Sequence, residues 1–198
     1  MASDFVPVCT APPEAMPVTL AQAKAHLRID HDAEDTVITD MIAGVTEFLD
    51  GWNGWLGLCL VDQTWRHSFA GWCGGELRLA LPGATAVVVK YTDPAGAEQT
   101  LASDAYHLIE DMLGSLVIPA EAATWPALGR VPAPVRAEAN HGFANAAAVP
   151  AGVRQGILQM IADWYENRAT VGAGGAARIP LEASADRNLS RHRRLRFL

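Results

Sequence analysis

Between Leu58 and Asn140 the chain never holds a 3.6-residue apolar period, and this constrains its fold more than any other feature. It breaks instead into short runs, LVDQTWRHSF, ELRLAL, AVVVKYT, EQTL, AYHLIE, SLVIP and PVRAEAN, separated by glycine and proline. Runs of this length, rich in β-branched and aromatic residues, read as strands. Asp93-Pro94-Ala95-Gly96 lies between AVVVKYT and EQTL and supplies a turn, hence a hairpin. GWCGGE at 71–76 reads as a glycine-rich loop. WPALGRVPAP at 125–134 has too many prolines for a helix and reads as a long connection.

Helical patterns frame this β-rich region. VTLAQAKAHLRID starts the first, over about 19–30. Thr19 and Gln22 stand in capping-box positions, where each satisfies an orphan amide. Asp30, His31 and Asp32 then break the pattern. The second helix, about 34–52, carries Ile38, Met41, Ile42, Val45, Phe48, Leu49 and Trp52 at helical spacing, with Asn53-Gly54 as a left-handed stop. Acids gather at its start, where the helix dipole favours them. Pro150 opens a third helix, about 150–171, with Val153, Ile157, Met160, Ile161 and Trp164 on its apolar face. The predicted class is α+β: a small helical bundle with an inserted β-rich region at about 58–140 and extended terminal arms. Residues 1–17, with Pro7, Pro12, Pro13 and Pro17, form the N-terminal arm, and 18–171 the domain. GAGG at 172–175 begins a hinge and a basic tail that runs to residue 198.

Charge divides the chain in the same way. The net charge of the 198 residues is −7. Residues 187–198 hold five Arg and no acid, and every acidic residue lies before them. That asymmetry predicts a body and an interaction tail. An acidic body argues against broad nucleic-acid binding, which needs clustered Lys and Arg. Cys9, Cys59 and Cys73 are odd in number and lack a CxxC, which fits a reducing compartment better than a disulfide framework. The N-terminus lacks the pattern of a signal peptide, and no apolar run reaches membrane-spanning length.

Nothing in the chain spells out a catalytic motif. The six His are scattered, with no HExxH and no Cys/His cluster. His31 reads as part of a polar helix–helix turn, and His67 as an alternating strand residue. Glu110 and Asp111 are adjacent on a strand and so face opposite ways, which makes a shared carboxylate site awkward. A P-loop, a GxGxxG and a GxSxG are all missing, so nothing in the motifs calls for an enzyme or a cofactor. WYENR places Trp164 and Arg168 on one helix face, either as core rim or as a partner anchor. Trp52 and Trp55 lie near loops. Trp52, Trp55, Trp164, Tyr165 and Arg168 are the candidate subunit-interface residues.

VTLAQAKAHLRID, then EDTVITDMIAGVTEFLDGW, then QTWR and VKYTDPAGAEQTL, then VPAGVRQGILQMIADWYENR resemble the head-tail connector (adaptor) family of long-tailed bacteriophages, prophages and gene transfer agents. The resemblance covers roughly residues 18–171. It implies a structural virion protein located at the particle neck and assembled in the bacterial cytoplasm. Such a protein forms a dodecameric ring of its own copies under the portal. It extends the DNA channel, through which DNA passes without sequence-specific binding, and receives a stopper or tail-side connector. It uses no cofactor and no membrane.

The tail, NLSRHRRLRFL, ends with apolar residues alternating with arginine. An extended strand places Leu195 and Phe197 on one side and Arg194 and Arg196 on the other. That suits docking on an acidic protein surface, and the expected portal-docking residues are Arg187, Leu189, Arg191, Arg193, Arg194, Leu195, Arg196, Phe197 and Leu198. The alternative is a small DNA-binding protein using the same arginines, with affinity falling steeply as salt rises.

Overall fold

The computed structural model describes residues 5–121, 123–167 and 183–194. It is α+β, as the sequence predicts. In chain order the elements are β1 (Val8–Ala11), α1 (Leu20–Leu27), α2 (Asp35–Leu49), β2 (Gln63–Phe69), β3 (Leu77–Arg78), β4 (Ala84–Thr92), β5 (Glu98–Thr100), β6 (Tyr106–Asp111), β7 (Gly114–Pro119), β8 (Val135–His141), α3 (Ala151–Glu166) and α4 (Ala183–Ser190). Contacts divide the chain into two compact units. One takes Asp62–Gly142 and the N-terminal segment up to Glu14; the other takes Ala15–Val61 and the chain from Phe143 onward.

In the β unit every run predicted as a strand forms one. Two antiparallel sheets result, ordered β1-β2-β8-β4-β5 and β3-β7-β6. Alternation does the sorting. His67 and Phe69 on β2, and Val135, Ala137, Ala139 and His141 on β8, all point inward and are fully buried. Phe69 and the three apolar β8 residues join Leu77, Leu79, Tyr106 and Val117 from around the smaller sheet in one apolar cluster. Fully burying a side chain such as Phe69 contributes about 1.5–3 kcal/mol. The 93–96 turn closes the β4–β5 hairpin as expected, with Asp93 Oδ1 accepting from the Ala95 and Ala97 amides at 2.9 and 3.0 Å. Trp72 and Trp125 stack with centroids 4.5 Å apart. Each also donates to a backbone carbonyl of the other's segment, and so pins the 71–76 loop to the long connection.

The N-terminal segment departs from a plain arm. It is extended, but Val8–Ala11 pairs antiparallel with β2 as the edge strand. Pro7 and Pro12 flank the strand, so no ladder donor is lost inside it.

In the helical unit α1 begins with the predicted capping box: the Gln22 amide donates to Thr19 Oγ1 at 3.2 Å, and the Thr19 amide to Gln22 Oε1 at 2.9 Å. It stops at Leu27 because Arg28 turns left-handed, with φ 60°. A non-glycine residue there is strained, so Arg28→Gly is expected to raise stability by about 0.5–1 kcal/mol. A lower urea midpoint would show that the arginine side chain matters more than the backbone. Lys24 then bridges Asp32 and Asp35 at 2.6 and 2.7 Å, which makes the Asp30–Asp32 break a structural turn. That double contact raises the Lys24 ammonium above its usual range and lowers Asp32.

α2 ends at Leu49, earlier than Trp52, because Asp50 is extended and its Oδ1 accepts the Leu60 amide at 2.6 Å. Gly54 is not the left-handed stop. A Cβ there would sit 2.2 Å from the Asp50 carbonyl oxygen, so glycine permits a close backbone approach. Ile38, Ile42, Val45 and Leu49 pack with Val153, Ile157 and Ile161 of α3 and with Val18 and Ala23 in the core of this unit. Phe48, read as a core-facing residue, is instead 42% exposed.

α4 corrects the expectation of a wholly extended tail. Ala185 and Leu189 are fully buried. Leu189 packs against Gly156 so closely that a Cβ on that glycine would lie 2.7 Å from Leu189 Cγ. The Asn188 side chain donates to Gln159 Oε1 at 3.2 Å. The predicted hinge at 172–175 and the end of the third helix beyond Asn167 lie outside the described residues.

Candidate functional site

The expected docking residues separate into different environments. Leu189 belongs to the core of the helical unit. Arg187 and Arg191 are exposed on or just after α4. Arg193 lies 4.6 Å from the Trp55 ring centroid, a cation–π distance, and the Arg194 amide donates to the Leu56 carbonyl at 2.8 Å. The basic segment is thereby tied to the turn after α2. Leu195, Arg196, Phe197 and Leu198 lie outside the described residues, as does Arg168.

The candidate interface residues separate too. Trp55 is engaged by Arg193, and the Tyr165 hydroxyl donates to the Glu34 carboxylate, so both hold the unit together from within. Trp52 is half-buried in the turn after α2. Trp164 is 40% exposed and lies over α2, where a Cβ on Gly44 would come within 3.0 Å of its ring.

Three surfaces went unread in the sequence. On α2, Val37, Gly44 and Phe48 form a second apolar stripe beside the core face, and the half-buried Met41 lies between that stripe and the core it packs against. Val37 is 40% exposed. The signal was present: a helix apolar on more than one face has more to bury than one core. Opposed to it in chemistry is a groove of about 500 Å³ between α1 and α3, lined by Val18, Ala25, Ala151 and Leu158 with His26 and Arg154.

The third surface is the β6–β7 hairpin tip, where Met112 is 99% and Leu113 63% exposed. This tip is held firmly. Arg78 donates two hydrogen bonds to the Asp111 carboxylate, at 2.8 and 2.7 Å, and holds its pKa down at about 2. The Glu110 carboxylate accepts from the Ser115 hydroxyl and the Gly83 amide. The two acids therefore turn to separate partners and form no dyad. Apolar residues in a two-residue hairpin loop, where polar residues and glycine are usual, were the overlooked sign.

His67 has a more specific partner than alternation suggests. Its Nε2 lies 3.0 Å from Nε2 of His141. The Ala80 amide can only donate, so His67 Nδ1 accepts, at 3.1 Å. The Pro82 carbonyl can only accept, so His141 Nδ1–H donates, at 3.0 Å. Neutral His67 must then donate from Nε2 to His141. Burial pushes the His67 pKa down to about 3 and lowers that of His141 as well. Every ring nitrogen is occupied, which leaves neither ring a position for substrate. Among the described residues no cluster of His, Cys, Asp or Glu suits a metal ion, and no helix is long and apolar enough to cross a membrane.

These surfaces belong to a fold that recurs in particle necks. Residues 17–56, which span α1, α2 and the turn after it, match the family of phage gp6-like head-tail connector proteins. The whole fold is similar to a chain in the neck of an empty GTA particle computed with C6 symmetry, at TM-score 0.72 and 22% identity over 98% of each chain. It is likewise similar to a chain in the virion of a native gene transfer agent (GTA) particle, at TM-score 0.70 and 23% identity over 98% of each chain. A chain in the neck of a native GTA particle computed with C12 symmetry matches at TM-score 0.68 and 21% identity, again over 98% of both. No curated protein matches significantly.

Proposed function

We propose that this protein is a structural head-tail adaptor of a phage or gene transfer agent particle. Copies form a ring at the particle neck, under the portal, that extends the DNA channel and receives the stopper or tail. The carrying observation is the match of the fold over 98% of this chain and of chains from GTA particles, joined to the connector-family match at 17–56. The role needs no catalysis and no cofactor. DNA passes through the ring without sequence-specific binding, which the acidic body favours because it repels phosphate.

Portal docking is assigned to the exposed arginines Arg187 and Arg191, together with Arg193, Arg194 and residues 195–198, which follow them in the sequence. Leu189 serves the fold and leaves that set. Truncating from residue 187 would therefore damage the core as well as the docking surface, and charge reversal is the cleaner test. The double variant Arg187→Glu, Arg191→Glu is expected to fold normally and to leave DNA-filled heads without tails in electron images. Normal tailed particles would refute the docking assignment. Salt-sensitive duplex binding by the wild-type chain, lost in the same variant, would favour the DNA-binding alternative.

A further inference from the structure

We propose that neighbouring copies pack head to tail, with the α2 ridge of one seated in the α1–α3 groove of the next. The inference rests on the ring reading above and names the two faces that meet. The ridge consists of Val37 and Phe48 with Trp164 beside Gly44. The exposed fractions of Val37, Phe48 and Trp164, 40–42%, are large for apolar side chains on one face of a helical unit. The groove offers the complementary shape. Ala25 and Ala151 are small and leave room, while Val18 and Leu158 provide an apolar floor. Side-chain ridges of one helix seat in such grooves between helices of another.

Charge supports the same pairing. Asp40 and Glu47 flank the ridge, both exposed, two turns apart on one side of α2 and in no ion pair among the described residues. α2 carries no basic residue at all. The groove has His26 on one wall and Arg154 on the other. The Arg154 guanidinium reaches only the Ala146 and Ala147 carbonyls, at 3.4 and 3.3 Å, with no carboxylate partner among the described residues. An acidic, apolar ridge thus faces a basic, apolar groove.

The placement also has the right symmetry. Groove residues Ala151, Arg154, Gln155 and Leu158 run along one side of α3, and Trp164 lies about a third of the way round the same helix. Two different, mutually complementary faces on one chain make a heterologous contact, which closes into a ring when the rotation allows. A two-fold contact would need one face complementary to itself, and an acidic ridge against an acidic ridge is not.

The test is cross-linking of the full-length chain in cells that assemble the particle. Glu47→Cys and Gln155→Cys are introduced together and singly, with the exposed Cys9 and the half-exposed Cys73 replaced by Ser. A short bis-maleimide is expected to give a ladder of covalent multimers from the double variant and nothing beyond a dimer from either single one. If electron images show rings but the double variant gives no ladder, the ring stands and this pairing of faces is overturned. If neither rings nor ladder are seen, the ring reading falls and takes the pairing with it.

Discussion

Leu189→Asp is expected to release α4 from α3 and to cost about 3–5 kcal/mol of local stability, because it puts a charge where a fully buried leucine stood. The contact is unusually specific. Leu189 approaches Gly156 more closely than any side chain at that position would allow, so the two residues must be chosen together. Gly156→Ala should therefore have the same sign and a smaller size, about 1–3 kcal/mol, since its methyl group must displace the leucine. Hydrogen exchange reads the outcome directly. In the wild-type chain the amides of 186–194 are expected to be protected, and in Leu189→Asp they should exchange orders of magnitude faster. Unchanged protection would mean that Leu189 is not the anchor. The variant also separates folding from docking, because Arg187 and Arg191 keep their charge while losing their platform.

The second large effect concerns the buried histidine pair. Both pKa values are depressed in the folded protein, His67 to about 3, while the unfolded chain binds protons near 6.5. Below pH 6.5 the unfolded state therefore holds more protons than the native state, and stability falls as pH falls. Above 6.5 neither state is protonated and the contribution is constant. Between pH 6.5 and about 3 each histidine that stays neutral removes about 1 kcal/mol or slightly more per pH unit. The range from 6.5 to 5 is diagnostic, since the unfolded carboxylates there are still ionised. Urea unfolding at pH 7 and pH 5 should differ by about 2 kcal/mol or more; a flat profile would contradict the neutral pair. His67→Leu is expected to cost about 2–4 kcal/mol at pH 7, because it leaves the Ala80 amide and His141 Nε2 buried without partners. The same change should reduce the slope below pH 6.5 by the share of His67, leaving that of His141.

Much of the architecture was legible along the chain, element by element. The Thr19–Gln22 cap, the 93–96 turn and the strands between residues 58 and 140 depend on neighbours a few residues apart, and each forms as expected. Helix ends were read less well. The α2 terminus depends on Asp50 reaching the amide of Leu60, a contact the local pattern does not contain. The surfaces fared differently from the elements. The charge asymmetry is plain in the sequence, but it could not show that α4 forms there, that Leu189 is buried, or that α4 packs into the helical unit.

What the sequence determined by itself was therefore local and periodic: which segments are helix or strand, where turns fall, and that the chain is α+β with an acidic body and a basic end. Only the tertiary structure decided which apolar residues are spent inside. Phe48 and Leu49 are adjacent and equally hydrophobic, yet one is exposed on the ridge and the other is in the core. His67 and His141 are 74 residues apart, and no spacing rule joins them. The physical reason is common to both. Burial and hydrogen-bond partnership depend on which surfaces meet after the chain has folded, and chain-distant contacts leave no periodic trace in the sequence that makes them.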